Sequence, residues 1–346
     1  MTISEALTSR AGRAIEVRRG GRSSRVTLTG LVVVAAVLAA LPFLVFSTVT
    51  DTLVDLFVLV ALASMWNVLA GFGGLVSVGQ QAWIGLGAYS VIALADAGVQ
   101  PYLAVPLAAL TCVLFAVPTS WLAFRLRGDY FAVGTWVIAE VYRLVVVRID
   151  SLGGGSGKAL TGLSGIDQAL RGALTYWVAL AVALASVAGC YLLLRSRLGL
   201  SLMAVRDEET AASAVGIDVR RAKLVVYLVS AAGCGAAGGV ITVSSLSVNP
   251  NAIFSVQWSA YMIFIVVIGG IGFIEGPLLG AVVFFALQQT LADYGSWYLV
   301  LLGAIGMAVA LWIPRGLWGL LRDRLGTTLF PVGYLVRSGG ADARPD

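Results

Sequence analysis

Apolar runs of membrane-crossing length follow one another along nearly the whole chain, near residues 28–47, 52–70, 75–95, 102–124, 129–148, 174–194, 223–245, 258–274, 277–293 and 296–313. A helix needs about 20 such residues to cross the hydrocarbon core of a bilayer. Hydrophobic residues make up 59% of the 346 and charged residues 12%, with a mean hydropathy of +0.93. Soluble domains carry roughly 25% charged residues. The runs therefore predict an all-α polytopic membrane protein of about ten transmembrane helices. The 41 glycines fit, because small residues let helices approach closely in lipid. The third, eighth and ninth runs are short or rich in Gly and Gln.

Charge sets the expected orientation. With the N-terminus inside and ten spans, 19 of the 23 Lys and Arg residues fall on the cytoplasmic side. They are the six N-terminal arginines, Arg125 and Arg127, six in 195–223, and five after the last span. Arg148, Lys158 and Arg171 fall outside, and Arg143 lies within a span. This is the asymmetry of the positive-inside rule, and the net charge of +5 encodes topology rather than nucleic-acid affinity. The expected organisation is a basic cytoplasmic N-terminal tail (1–26), a transmembrane domain (27–321) and a cytoplasmic C-terminal tail (322–346). Two polar loops interrupt the domain, 149–173 outside and 195–223 inside. The first apolar run is too long for a signal peptide and reads as an uncleaved span.

Several chemistries are excluded. The chain has no histidine, which removes Ser-His triads, His-ligated metals and histidine proton shuttles. Cys112, Cys190 and Cys234 lie inside apolar runs without CxxC spacing and read as small packing residues, not metal ligands. The run Gly153-Gly-Gly-Ser-Gly157-Lys158-Ala159 resembles a phosphate loop but fails the pattern twice. Leu152 stands at the first glycine position, and Ala159 replaces the hydroxyl that would hold Mg²⁺. This chain is expected to bind no nucleotide or other cofactor, so any ATP is used by partner subunits.

Three polar features stand out against the apolar background. The run from Asn67 to Tyr89 holds six glycines with Asn67, Ser77, Gln80, Gln81, Trp83 and Tyr89. Such residues are costly in lipid unless they line protein or a wet cavity. The run reads either as a broken helix beside a translocation path or as tight helix packing with Gln bonds across helices. Gly269 to Gly280 invites the same two readings. Glu140 and Arg143 sit i,i+3 in the fifth run and neutralise each other on one helix face, which favours a structural ion pair over a substrate or proton site.

The third feature is the 195–223 insert, which carries six basic and four acidic residues. Its core, Glu209 to Gly216, begins a short helix with Ala211, Ala212 and Gly216 as a small-residue face, suited to seating in a groove of a soluble partner. A faint repeat pairs Gly73-Gly-Leu-Val-Ser-Val78 with Gly238-Gly-Val-Ile-Thr-Val243. An offset of five spans would put the two copies in inverted orientation.

Together these residues resemble the permease subunits of branched-chain amino acid ABC importers, the LivM type. The resemblance rests on Asn67 to Tyr89, on Leu160-Thr161-Gly162-Leu163-Ser164-Gly165-Ile166, on Arg206 to Ile217 with Lys223-Leu224, and on Gly269-Gly270 to Gly280-Ala281. It implies ABC importer permease architecture in the bacterial inner membrane and a homologous second permease of the LivH type that completes the pore. It also implies two ABC ATPase subunits and an extracytoplasmic substrate-binding protein. By the same resemblance Glu209, Ala211, Ala212 and Gly216 lie on the helix that couples to the ATPase. Asp207-Glu208 is more acidic than the usual form of that motif, and Glu275 stands where an uncharged residue is expected. Urea, amide and sugar permeases look similar, so another small solute is the alternative cargo. An ion-coupled secondary transporter is the rival class; it would need acids inside the bundle, and Glu140 is the clear one.

Overall fold

The computed structural model describes residues 15–18, 30, 33–44, 47–163, 165–291, 297–313, 315–325, 330 and 335–338. Most of the Arg-rich N-terminal tail and most of the C-terminal tail lie outside the described residues. Each of the ten apolar runs forms a helix. Val33–Phe43 (α1) precedes Ser47–Asn67 (α2), which ends in a π-helical turn at Val68–Phe72. After an extended stretch come Gln81–Asp96 (α3), Pro101–Ala123 (α4), Asp129–Val147 (α5) and Gln168–Arg195 (α6). The polar insert forms Arg197–Asp207 (α7) and Glu209–Ala214 (α8). Val219–Ser245 (α9) leads through the one-turn helix Pro250–Ile253 (α10) to Gln257–Gly269 (α11) and Glu275–Leu291 (α12). Trp297–Trp312 (α13) and Gly316–Leu325 (α14) follow.

Six helical segments are long and apolar enough to cross a membrane, namely α2, α4, α5, α6, α9 and α10 taken together with α11, or seven if α13 and α14, bent by 45°, form one broken span. The expected ten includes shorter helices, α1 and α3 among them. The 16 residues of α3 rise about 24 Å, less than a hydrocarbon core of about 30 Å. A buried helix reads as a span in sequence because lipid and protein interior select the same apolar residues.

The core is a layer of helices around α9. This helix packs against α3 and α4 on one side and against α2 and α6 on another; α11 and α12 pair with each other and lean on α2. Contact between α3 and α9 is backbone-close: a Cβ on Gly87 would strike the Gly235 carbonyl, and one on Gly238 would strike the Ile84 carbonyl. Small residues here serve packing as the lipid environment favours. The buried thiols fill the same seams, with Cys112 Sγ 3.4 Å from the Trp83 carbonyl and Cys190 Sγ 3.5 Å from that of Ser64. On the outer side, α4 and α5 expose Leu110, Leu114, Trp136 and Val141.

The two hexapeptides of the suspected repeat adopt different conformations. Residues 73–78 form the non-helical stretch after α2, and residues 238–243 lie in the C-terminal part of α9. Their likeness is one of small apolar composition and does not mark two copies of one element.

The polar loops sit at opposite ends of the bundle. Lys158 and Ala159 pair antiparallel with Ser247 and Val248 beyond the C-terminus of α9, and Lys158 Nζ bonds Asp96 at the end of α3 (2.6 Å). The 195–223 insert adjoins the N-terminus of α9, about 39 Å away along that 27-residue helix. Ile15–Arg18 pairs antiparallel with Leu335–Ser338, which joins the two terminal segments.

Candidate functional site

At the insert end, two helix breaks and the polar insert meet. Asn67 ends α2 and is buried. Its Nδ2 donates to the Phe273 carbonyl (2.8 Å), and its Oδ1 accepts from the Gly272 N–H (2.9 Å). One side-chain amide thus satisfies a donor and an acceptor of the loop between α11 and α12. In a low-dielectric interior each would otherwise be left unpaired, at a cost of about 1–3 kcal/mol. Arg206, in the last turn of α7, donates from Nη1 to the Gly71 carbonyl in the π-helical turn (2.8 Å). Its Nε and Nη2 hold Asp207 at 3.1 Å each. The insert, the end of α2 and the α11–α12 loop are therefore joined side chain to backbone.

The stretch after Gly71 turns back into the bundle, and protein groups bond several of its backbone polar groups, as non-helical backbone at membrane depth requires. Trp66 Nε1 donates to the Ser77 carbonyl (2.8 Å), the Ser77 hydroxyl accepts from Gly79 N–H (3.2 Å), and Thr135 Oγ1 accepts from Val78 N–H (3.3 Å). Gln80 is fully buried; its Oε1 accepts from Ser230 (3.3 Å) and Cys234 (3.5 Å), while its Nε2 has no partner. Gln81 accepts from Ser259 on α11. Trp83 packs edge-on against Tyr227 and tilted against Tyr142. Tyr89 stacks on Phe254, its buried hydroxyl without a partner. All six residues are buried, and each bonds or packs against another element of the bundle.

In the insert, Glu208 caps α8, accepting from the Thr210 hydroxyl (2.7 Å) and Thr210 N–H (3.3 Å). Glu209 pairs with Lys223 of α9, which fixes α8 to the bundle. Ala212 turns inward and is buried, while Ala211 and Gly216 face outward. The expected single small-residue face is thus split, since adjacent helical residues lie about 100° apart. Gly216 has φ +85° and open space around it, a left-handed helix terminus that favours glycine. Val215 beside it is 77% exposed, an apolar knob on a polar element.

Glu140 and Arg143 form the expected ion pair, with Nε at 2.9 and 3.0 Å from the two carboxylate oxygens. It lies on an exposed flank of α5, and Arg143 Nη1 also reaches Asn251 of α10 at 2.8 Å. Glu275 is buried and accepts from the Phe330 N–H (2.9 Å), an anchor for chain beyond α14.

At the opposite end lies a cavity of about 360 Å³ between α2, α9, α11 and α12. Asp55 of α2 lines it, an acid within an apolar helix that the reading of Glu140 as the clear intramembrane acid passed over. The signal was present: Asp51 and Asp55 stand i,i+4 in an otherwise uncharged helix.

Residues 48–313 match the family model for the permease component of branched-chain amino acid transport systems. The chain belongs to that family. This permease component is 27% identical over 322 residues to the high-affinity branched-chain amino acid permease protein LivM of Escherichia coli, covering 85% of this chain and 76% of that protein. It is 28% identical over 325 residues to LivM of Salmonella typhimurium, with 86% and 76% covered. The fructose import permease FruG of Bifidobacterium longum is 24% identical over 263 residues, with 71% and 76% covered. No solved structure matches the permease component significantly.

Proposed function

We propose that this chain is one permease subunit of an ATP-driven importer of branched-chain amino acids. A homologous second permease completes the pore, two separate ABC ATPases supply the energy, and an extracytoplasmic binding protein delivers the solute. The observation that carries this reading is the linkage from the insert to the broken helices: Arg206 to Gly71, and Asn67 to Gly272 and Phe273. A partner that moves α7 and α8 pulls on the end of α2 and, through Asn67, on the loop joining α11 to α12. Glu209, Ala211, Ala212 and Gly216 stand on or beside the docking helix, and Val215 adds the exposed apolar contact a groove would take. The concentration of basic residues at the insert and both termini supports a cytoplasmic location for all three. The 149–173 loop then meets the binding protein on the outer face.

The test is purification of the tagged chain in mild detergent from cells expressing the whole gene set. Co-elution of a second permease and two ATPases is expected, with ATP hydrolysis stimulated by binding protein loaded with leucine. Stimulation by fructose-loaded protein instead would assign the complex to sugar import. Elution without an ATPase would overturn the proposal.

A further inference from the structure

We infer that the cavity at the end opposite the insert is a binding site for a small solute with an ammonium group and an apolar body, and that Asp55 is the residue that holds the ammonium. This rests on the proposed transport function and names the site within it. Asp55 lies sixteen residues before Gly71, so about 24 Å of helix separates it from the Arg206 contact. The cavity is therefore at the far end of the same helix that the insert grips. The C-terminal ends of two helices add polar lining, Ser244 and Ser245 on α9 with Gln288 and Gln289 on α12. Its apolar lining includes Val58 and Leu59 of α2, Ile241 of α9 and Phe285 of α12.

The lining separates three kinds of chemistry. Among the described residues Asp55 makes no ion pair or hydrogen bond, and Asp51 one turn away adds a second negative charge. An acid in a membrane helix faces a cavity or a partner because lipid would not tolerate it. Like charges at i,i+4 repel, and an ammonium between them and the cavity relieves that repulsion. The Gln amides and the Ser244 hydroxyl supply hydrogen-bond donors for a carboxylate. The aliphatic and aromatic walls accept an apolar side chain. A volume of about 360 Å³ lies at the small end of ligand cavities, which run about 300–1,000 Å³. A sugar would satisfy the amides but leave Asp55 without a cation.

The experiment uses the assembled importer in nanodiscs, with its binding protein, photolysed in the presence of a diazirine analogue of leucine. Mass spectrometry of the wild-type complex is expected to place the label on peptides containing residues 54–59, 241–245 or 285–289. D55N is expected to lower that labelling about tenfold, as loss of a hydrogen bond to a charged group implies, and D55E to restore most of it. Label confined to other peptides, or D55N labelled like wild type, would overturn the inference while leucine uptake by the wild-type complex kept the transport reading intact. A wild-type complex that takes up no leucine and gains no label would remove both. Size-exclusion chromatography of D55N checks assembly, and the wild-type peptide map decides the question even where that variant does not assemble.

Discussion

Arg206 donates to the carbonyl oxygen of Gly71 at 2.8 Å, although 135 residues separate them. The bond ties the polar insert to the only π-helical turn among the described residues, at the point where α2 breaks. A guanidinium that also holds Asp207 through Nε and Nη2 makes this a rigid strut. R206A is expected to reduce solute moved per ATP hydrolysed by about tenfold, since a lost charge-assisted bond is worth about 1.5–3 kcal/mol. R206K should recover little, because one ammonium cannot serve both partners. Parallel assays of uptake and phosphate release in proteoliposomes measure the ratio.

Asn67 bridges Gly272 and Phe273 with one donor and one acceptor. N67A leaves both backbone groups buried and unpaired, so a loss of about 2–6 kcal/mol is expected for the two together. N67D keeps the acceptor for Gly272 but sets an oxygen against the Phe273 carbonyl, and should be nearly as damaging. Thermal unfolding of the purified chain in detergent, followed by tryptophan fluorescence, reads the loss as a lowered Tm in both variants.

Val215 and Gly216 form the exposed tip of α8. V215D and G216L are expected to abolish ATPase-coupled uptake while leaving membrane insertion and expression unchanged. G216L carries a second cost, because leucine is strained at φ +85°. Retention of the ATPases on the V215D complex during affinity purification would count against a docking role for this tip.

Glu208 is held below the usual carboxylate range, first by the Thr210 hydroxyl and then by the Thr210 N–H, both bonding its charged form. A depressed folded pKa stabilises the cap above the ordinary value near 4.5 and loses that contribution as pH falls through the lowered value. Amide protection in Ala211–Ala214 should therefore be level between pH 8 and about 5 and decline below the ordinary glutamate range. In E208Q the decline should vanish, with protection lower throughout. Hydrogen exchange corrected for intrinsic rates supplies the comparison.

Much of this was legible in the sequence, because a bilayer demands runs of apolar residues and turns demand Gly, Pro and charge. All ten runs became helices, and the 195–223 insert became two short ones, the second capped by the Glu208 side chain. The ion pair of Glu140 and Arg143 followed from i,i+3 spacing alone. What was not legible depended on partners distant in sequence. Asn67 read equally as path or packing residue until Gly272 and Phe273, more than 200 residues on, took up its amide. Arg206 sat inside a recognised motif, but no local pattern announces a bond to a backbone carbonyl in another helix. Membrane-crossing helices could not be told from buried ones, since Ile84 and Val91 of α3 are as apolar as any lipid-facing residue. Asp55 was visible but unremarked, because only the convergence of Ser244, Gln288 and Phe285 upon it makes a cavity.

In the proposed mechanism, energy enters through the insert from a separate ATPase. Uptake of radiolabelled leucine into proteoliposomes containing this chain, its second permease and the ATPases, with loaded binding protein added outside and ATP enclosed, tests it most directly. Accumulation that requires ATP and the ATPases, and is abolished by V215D, is the predicted result. Accumulation by this chain alone, without ATP and driven by a sodium or proton gradient, would contradict it.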